Sequence, residues 1–445
     1  MNKVVTKFGG SSLADASQFK KVKEIILADD ARRYVIPSAP GKRHGKDTKI
    51  TDLLYLCHMH VETGISLEDV FKHIEERYTG IVNDLGLDLD ISTYLDVVKK
   101  DIENGASKDY AASRGEYLNG IILANYLGYD FVDAKEVILF NEDGTLNSEE
   151  TNKRLKDKLC KIERAVIPGF YGADEQGEIV TFSRGGSDVT GSLVAASINA
   201  DLYENWTDVS GFLMADPRIV ENPKTIGKIT YKELRELSYM GASVLHEEAI
   251  FPVKEAGIPI NIKNTNLLED KGTIIVQDTE NEKCKTITGI AGKKNFTVIS
   301  IEKAMMNNEL GFCRKVLSIL EMNNISFENM PAGIDTVCLV IADSELKKKK
   351  DIVIEEIRRS CNPDSIVVHP NMAMIATVGK GMAKNKGVAA KVFGALAKAK
   401  INIRMIDQGS SEMNILVGIE NEDLEEKGLR NIYDISNMSE KKNFG

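Results

Sequence analysis

Through the first 282 residues, short apolar runs ending in Gly, Ser or Pro alternate with amphipathic stretches. Residues 4–8, 34–37, 165–168, 179–182 and 201–206 have the length and β-branched character of buried strands, whereas 16–28, 49–60, 111–126 and 188–198 carry apolar residues at helical spacing. Strands alternating with helices predict an α/β sheet covered by helices on both faces. The basic stretch 41–49 (GKRHGKDTK) interrupts the alternation and reads as a mobile loop.

Beyond residue 282 the pattern repeats itself. Residues 311–320 (GFCRKVLSIL) line up with 387–396 (GVAAKVFGAL), an offset of 76 (387 − 311), and the same offset pairs Met306 with Met382, Ile299 with Ile375 and Ile325 with Ile401. Each copy reads as strand, glycine-led helix, strand, turn, strand, so duplicated small α+β modules are predicted. A tandem pair behind an enzyme-sized domain suggests ligand sensing.

Composition narrows the class. With 42% hydrophobic and 28% charged residues the chain of 445 residues has the makings of a large core, and at roughly 100–200 residues per domain two to four domains are expected. The six cysteines are scattered with no CxxC pair, which argues against a disulfide framework or a zinc site and for a reducing cytoplasm. No apolar run approaches the ~18 residues of a membrane span, and the opening MNKVVTKFGG is strand-like rather than a signal peptide. A formal net charge of −10 disfavours nucleic acid and anionic membrane as partners. Any anionic substrate must therefore meet cations concentrated locally, which draws attention to Lys and Arg in glycine-rich turns.

Two such turns stand out. No G-x-G-x-x-G follows a strand, and residues 40–48 lack the leading glycine of a P-loop and have Asp47 where Ser or Thr belongs. Instead, Lys7-Phe8-Gly9-Gly10-Ser11-Ser12 leaves a strand and enters a helix. There, unpaired backbone N–H groups suit a phosphate and Lys7 adds a full charge; the plain alternative is a turn with a solvated lysine. The second, Ser183-Arg184-Gly185-Gly186-Ser187-Asp188, offers a guanidinium fork for a carboxylate at Arg184. Asp188 is either a helix N-cap or the group that orients Lys7. Two glycine-rich turns in one domain fit two anions held face to face, the arrangement that phosphoryl transfer to a carboxylate requires. Further along, Thr207 and Asp208 can hydrogen-bond a base or ribose and Arg218, near Asp216, can reach phosphate; read alone, the segment is an ordinary turn.

Taken in order, KFGGSSLAD, SAPGKR with TDLL, SRGEYL, PGFYG, TFSRGGSDVTGSLVAA, WTDVSGFLMADPRIV, MGASVLH and NTN with GT resemble the aspartokinases. These are amino acid kinases with two C-terminal ACT domains, and the resemblance covers essentially the whole chain. It implies a three-layer αβα sandwich over residues 1–282, then two ferredoxin-like βαββαβ ACT domains over 296–370 and 371–445. Residues 285–295 join the second ACT domain if the first is inserted within it. The implied reaction is ATP + L-aspartate → ADP + 4-phospho-L-aspartate, with Mg²⁺ on the nucleotide and no metal ligands from protein side chains. It would be the first step towards lysine, threonine and methionine. Lys7 is then the residue on the transferred phosphoryl, with Phe8, Gly9, Gly10 and Ser11 as its loop and Asp188 as the organising acid. Thr51, Glu116, Arg184 and Ser187 are implied substrate contacts, Glu116 for the α-ammonium and Arg184 for a carboxylate. Thr207, Asp208, Asp216 and Arg218 are implied for the nucleotide pocket. The chain departs from the pattern at Ser11 (threonine is commoner), at Pro37 (valine is usual) and at His246-Glu247-Glu248 (many relatives have His-Pro-Arg).

In the first repeat Glu328, which follows an expected strand at 325–327, occupies the place where lysine-inhibited members of the family carry an acid facing the effector, and its counterpart in the second repeat is Arg404. A carboxylate suits a lysine side chain that an arginine would repel. The expectation is a lysine site, rather than a threonine site, near Met306, Gly311, Phe312, Ser326 and Glu328, the alternative being a solvated edge-strand charge. The family also implies a homodimer or a dimer of dimers assembled through the ACT domains. His58 and His60, two apart on a helix, point in different directions and make poor metal ligands; Trp206 reads as packing.

Overall fold

The structure, a computed structural model, describes residues 2–442 except 184, 242–244, 246 and 278–284, and gives no side chains for 247, 248, 425, 426 and 437–442. The chain forms two compact units: Met1–Phe212 with Thr225–Tyr231 and Val244–Glu280, and Leu213–Lys224 with Lys232–Ser243 and Asn281–Gly445.

The first unit contains, in chain order, β1 (Val4–Phe8), α1 (Ala16–Leu27), β2 (Arg32–Pro37), α2 (Ile50–Glu62), α3 (Glu68–Leu85), α4 (Ile91–Glu103), α5 (Lys108–Leu127), β3 (Asp130–Phe131), α6 (Ala134–Val137), α7 (Ser148–Leu159) and β4 (Ala165–Val166). The hairpin β5 (Tyr171–Ala173) and β6 (Ile179–Thr181) follows, then α8 (Gly186–Ser197), β7 (Leu202–Thr207), β8 (Lys228–Thr230), β9 (Ile260–Asn264) and β10 (Thr273–Val276). Eight strands make one sheet in the order β3-β4-β2-β1-β7-β9-β10-β8. Its pairs are parallel apart from β9 with β10.

Every residue of β1 is buried, as a central strand of a parallel sheet covered on both faces requires. Apolar side chains of α1, α2, α3, α4 and α5 gather in one core cluster with Phe8, Val35 and Trp206, while α8 packs on β1, β2 and β7 outside that cluster. Trp206 is fully buried, stacks on Phe8 and donates its indole N–H to Glu204. Helices α3 and α4, absent from the elements anticipated above, carry buried stripes at Phe71, Ile74, Tyr78 and Ile81 and at Leu95, Val98 and Ile102.

The second unit is built on a five-stranded antiparallel sheet of β11 (Gly289–Glu302), β12 (Thr336–Ala342), β13 (Ser365–Val378), β14 (Met405–Asp407) and β15 (Asn414–Glu420), ordered β12-β11-β13-β15-β14. The boundaries drawn at 295/296 and 370/371 fall inside continuous strands. In β11, Phe296–Glu302 pairs with β12 and with the start of β13, while Gly289–Lys293 pairs with Val378–Met374. The two repeats thus share one sheet. Both glycines that lead the repeat helices, Phe312–Met322 and Val388–Lys398, are left-handed N-caps: Gly311 has φ +82° and Gly387 φ +84°, a conformation a side chain would strain. The strand anticipated at 325–327 does not form. Ile325 N–H closes the preceding helix on Leu320 O, Pro331 has no N–H to give a ladder, and only isolated bridges, Asn329 with Val340 and Ala332 with Val337, remain.

The linear boundary at 282 is also crossed. Two earlier segments cluster with the second unit: Met214 O accepts from Ile290 N–H at 2.7 Å, and α9 (Tyr231–Tyr239) is tied through Glu233, whose Oε1 accepts from Thr288 Oγ1 at 2.6 Å and Lys380 N–H at 2.8 Å.

Candidate active site

The carboxyl ends of parallel strands are where open α/β sheets hold ligands, and Lys7 is the penultimate residue of β1 at that end. Its register neighbours are Ile36 on β2 and Asn205 on β7. Lys7 is only 8% exposed, and its ammonium lies 2.7 Å from Asp188 Oδ1. The same oxygen accepts from Asn205 Nδ2 at 2.7 Å. Asp188 sits in the first turn of α8, whose N-cap is the left-handed Gly185; its carboxylate is directed to Lys7 and Asn205. The structure therefore brings together two of the anticipated residues and adds Asn205, which sits beside Glu204 in β7 and is marked in the sequence by no motif.

Next comes a close meeting of two backbones. Gly9 N–H donates to Trp206 O, and Gly10 opens a short 3₁₀ turn, Gly10–Leu13. Gly41 N–H donates to Gly10 O at 2.8 Å. A Cβ on Gly10 would lie 2.9 Å from Ala39 O, and one on Gly41 only 2.6 Å from Gly10 C. Both glycines are thus required by contact, which keeps the 38–41 segment against the Lys7 turn. Phe8 contributes its carbonyl, an acceptor for Ser38 N–H, while its ring belongs to the core.

Helix α5 supplies the third wall. A Cβ on Gly115 would come 2.8 Å from the Ala39 methyl, so the helix lies tight against the loop after β2, and Asn119 Nδ2 donates to Ser38 O at 2.7 Å. Glu116 is 5% exposed and its Oε2 has no hydrogen-bond partner. Burial pushes its carboxyl up to about 8, against the opposing pull of the Ala39 N–H and the charges of Arg114 and Lys7. A buried carboxylate oxygen without a donor is costly and is what a substrate ammonium would relieve. The neighbouring Arg114 is enclosed by the rings of Tyr110, Tyr117 and Tyr171 and bonds Ser113 Oγ.

The other anticipated residues scatter more. Thr51 lies half-buried in the first turn of α2, which is anchored by Ile50 N–H on Pro40 O. Ser187 is buried against Gly169, where a Cβ would meet it at 2.6 Å. Arg184 and His246 lie outside the described residues, as do the side chains of Glu247 and Glu248. Thr207 ends β7 and its hydroxyl donates to the carboxylate of the next residue, Asp208, at 3.1 Å. Asp216 and Arg218, paired at 2.6 Å, belong to the second compact unit, and the Arg218 fork holds the Asp216 carboxyl below its usual range.

A profile of the amino acid kinase family matches residues 2–264, and one of the ACT domain matches 375–434. Aspartokinase 3 of Bacillus subtilis is 39% identical over 450 residues, covering 96% of this chain and 97% of that protein. The chain is a member of the amino acid kinase family, among its aspartokinases. A crystal structure of Clostridium acetobutylicum aspartate kinase, described as an allosteric enzyme, shares 65% identity over 98% of this chain and all of its own, with a TM-score of 0.90. Escherichia coli aspartokinase III is 26% identical in two solved states. One is an R-state with aspartate and ADP (98% of this chain, 99% of that one, TM-score 0.70), the other a T-state with lysine and aspartate (all of both chains, TM-score 0.72). Like other aspartokinases, this one is an ATP-dependent phosphotransferase with a carboxyl group as acceptor.

In the regulatory part of this aspartokinase the anticipated effector residues do not form one surface. Met306 and Phe312 are core side chains, 5% and 2% exposed; Gly311 caps a helix and Ser326 is exposed. Glu328 is not a solvated edge charge: its Oε1 lies 3.3 Å from Lys293 Nζ, Tyr239 hydrogen-bonds to it, and its Oε2 is buried without a partner. It lines a cavity of about 310 Å³ with Met374, the register neighbour of Lys293, with Leu416, and with Glu236, Tyr239 and Met240 of the α9 segment. Arg404, its counterpart, pairs with Glu420 at 2.7 Å.

Proposed function

We propose that this aspartokinase transfers the γ-phosphoryl group of ATP to the side-chain carboxylate of L-aspartate between Lys7 and Glu116, and that lysine restrains it through Glu328. The observation that supports the first part most is the partnerless Oε2 of buried Glu116 within the field of Lys7. One wall of the site wants a cation and the other supplies one, which matches the two ends of an amino acid whose carboxylate must approach a phosphate. The acceptor carboxylate is already ionised at neutral pH, so no base is needed, and the work is alignment and charge stabilisation. In this reading Lys7, fixed by Asp188 and Asn205, neutralises charge on the transferring group. Gly10 and Ser11 present backbone N–H groups to phosphate, while Gly9, whose own N–H is held by Trp206 O, shapes the turn. Thr51, Ser187 and Arg184 contact aspartate, and Thr207, Asp208, Asp216 and Arg218 hold the nucleotide. Mg²⁺ would enter on the phosphates, offsetting their charge; the oxygens nearest Lys7 are those of Asp188, hard donors of the type a hydrated Mg²⁺ accepts.

Lysine as effector is favoured because Glu328 keeps one carboxylate oxygen unpaired inside a cavity and holds the other against Lys293. A free lysine ammonium is chemically equivalent to Lys293 and competes with it. The product would feed lysine, threonine and methionine synthesis in the cytoplasm, where thiols stay reduced; the five described cysteines are unpaired. A coupled ADP-release assay with Mg·ATP and aspartate, with and without lysine or threonine, tests both parts. Turnover that needs aspartate and falls with lysine but not threonine is expected. Turnover indifferent to aspartate would remove the substrate reading, and lysine-insensitive turnover would remove only the effector.

A further inference from the structure

Helix α3 lines none of the groups discussed above, yet two successive residues on it reach the walls of the site from behind. Tyr78 O–H donates to Gly115 O at 2.7 Å, on the helix that carries Glu116. Arg77 is 6% exposed, and its Nη1 donates to Gly41 O at 3.0 Å and to Ala14 O at 3.4 Å. Its Nη2 donates to Asp47 Oδ2 at 2.7 Å, and the same carboxylate accepts from Arg43 Nε and from the Arg43 N–H, each at 2.9 Å. The guanidinium thus holds the first residue of the 41–49 loop by its carbonyl, the seventh by its carboxylate, and the residue just past the Gly10–Leu13 turn.

Burying a guanidinium is expensive unless its charge and donors are met, and Arg77 Nε has no partner. A core leucine or methionine would fill this place on α3 without that penalty. What the guanidinium does that they could not is bind three acceptors in three directions from one planar group. Two of those acceptors belong to the two loops that touch backbone to backbone at Gly10 and Gly41. We propose that Arg77 is a positioning residue for the phosphoryl transfer: it clamps the 38–49 loop onto the Lys7 turn and so sets the distance between acceptor carboxylate and transferring phosphate. It acts through Gly41 and Ala14 and touches neither substrate. This rests on the reading of Lys7 and Glu116 as the two sides of the site.

Misplacing reacting groups by about 1 Å can cost on the order of 10²-fold in rate, so Arg77→Lys, which keeps the charge and loses the fork, is expected to lower kcat by roughly 10- to 100-fold. KM for aspartate should rise more than KM for ATP, because the hold on Gly41 is the shorter one. The melting temperature should stay well above the assay temperature. If the Arg77 variants fold poorly, Asp47→Asn asks the same question from the other end of the loop and is expected to move kcat and the aspartate KM in the same directions. Wild-type kcat and KM in a folded Arg77→Lys, or in Asp47→Asn where that variant has to decide, overturn the proposal, as does a loss of thermal stability with unchanged kinetics below the transition. An unmutated protein without aspartate-dependent turnover would remove the underlying reading as well, so the two failures are told apart by the wild-type control.

Discussion

At the scale of single residues, Glu116 carries opposite consequences for stability and for binding. Its folded carboxyl titrates near 8 instead of in the ordinary carboxylate range. The folded chain therefore holds this proton more tightly than the unfolded one. The stabilisation is complete below the ordinary carboxyl range and is lost as pH rises towards about 8, where the buried charge counts fully against the empty fold. Glu116→Gln removes that charge. The variant is expected to melt above wild type at about pH 9 and close to it at about pH 5, and to lose aspartate-dependent turnover at both. Thermal scans across pH would show it; parallel curves would mean that the carboxyl is solvated. Lys7 and Asp188 make a second case. Asp188→Asn keeps an oxygen for Asn205 and Lys7 but removes the charge that fixes the ammonium, so kcat should fall by roughly 10²-fold while folding survives. An undiminished kcat would return Asp188 to a structural part. Lys7 and Asp188 stood out because charged residues beside glycines at strand and helix ends are uncommon; Glu116, in the middle of α5, was pointed to only by the family resemblance. Asn205, Asn119 and Arg77 were not, because their significance lies in partners that are distant in sequence.

At the scale of elements, the alternation of runs and amphipathic stretches foreshadowed β1, β2, β7, α1, α2, α5 and α8, all of which carry or flank the site. It missed α3, whose apolar stripe resembles that of any surface helix although the helix frames the active site from behind. The glycine pairs were visible as turns; that Gly10 and Gly41 face each other was not, since 31 residues separate them (41 − 10). Their contact makes a sharp test. In Gly41→Ala the new methyl would sit 2.6 Å from Gly10 C and 2.8 Å from Ser11 N, too close for either backbone to keep its place. Overpacking of this kind costs about 1–3 kcal/mol, and here the strain falls on the phosphate turn itself. The variant should fold, with kcat reduced at least tenfold or so, consistent with displaced reacting groups. Unchanged kinetics would show that the two loops part without consequence. The regulatory repeat was the most legible feature of all, because one offset fixes the leading glycine and the buried helix positions together. The missing strand at 325–327 was lost to the helix stop at Ile325 and to Pro331, local effects that a repeat pattern does not register.

At the scale of the whole molecule, the division of labour is not the division of the sequence. Segments 213–224 and 232–243 lie between strands of the kinase sheet in the chain, yet cluster with the regulatory unit. Met214 O depends on Ile290 N–H, Glu233 on Thr288 and Lys380, Glu236 on Asn414, and Lys224 N–H on the hydroxyl of Tyr433. No reading of local pattern could assign these segments, because hydrogen bonds between residues so far apart leave no trace in periodicity. The arrangement also places Asp216 and Arg218, proposed nucleotide contacts, among residues whose order depends on the regulatory sheet. A chain ending at residue 282 is therefore expected to lack the partners that order these segments. It should keep the sheet built on β1 while residues 213–224 and 232–243 lose their partners, and each backbone group so stripped must turn to water or stay unsatisfied at a cost. Limited proteolysis is expected to cut that fragment between 213 and 243 at protease levels the full chain withstands, and any residual activity should show a raised KM for ATP. A fragment that resists cleavage there and matches the full chain in KM would mean that the two segments take their order from the kinase sheet. A fragment that is cut there would mean that the two segments take their order from the second unit's sheet, whose residues supply their hydrogen-bond partners.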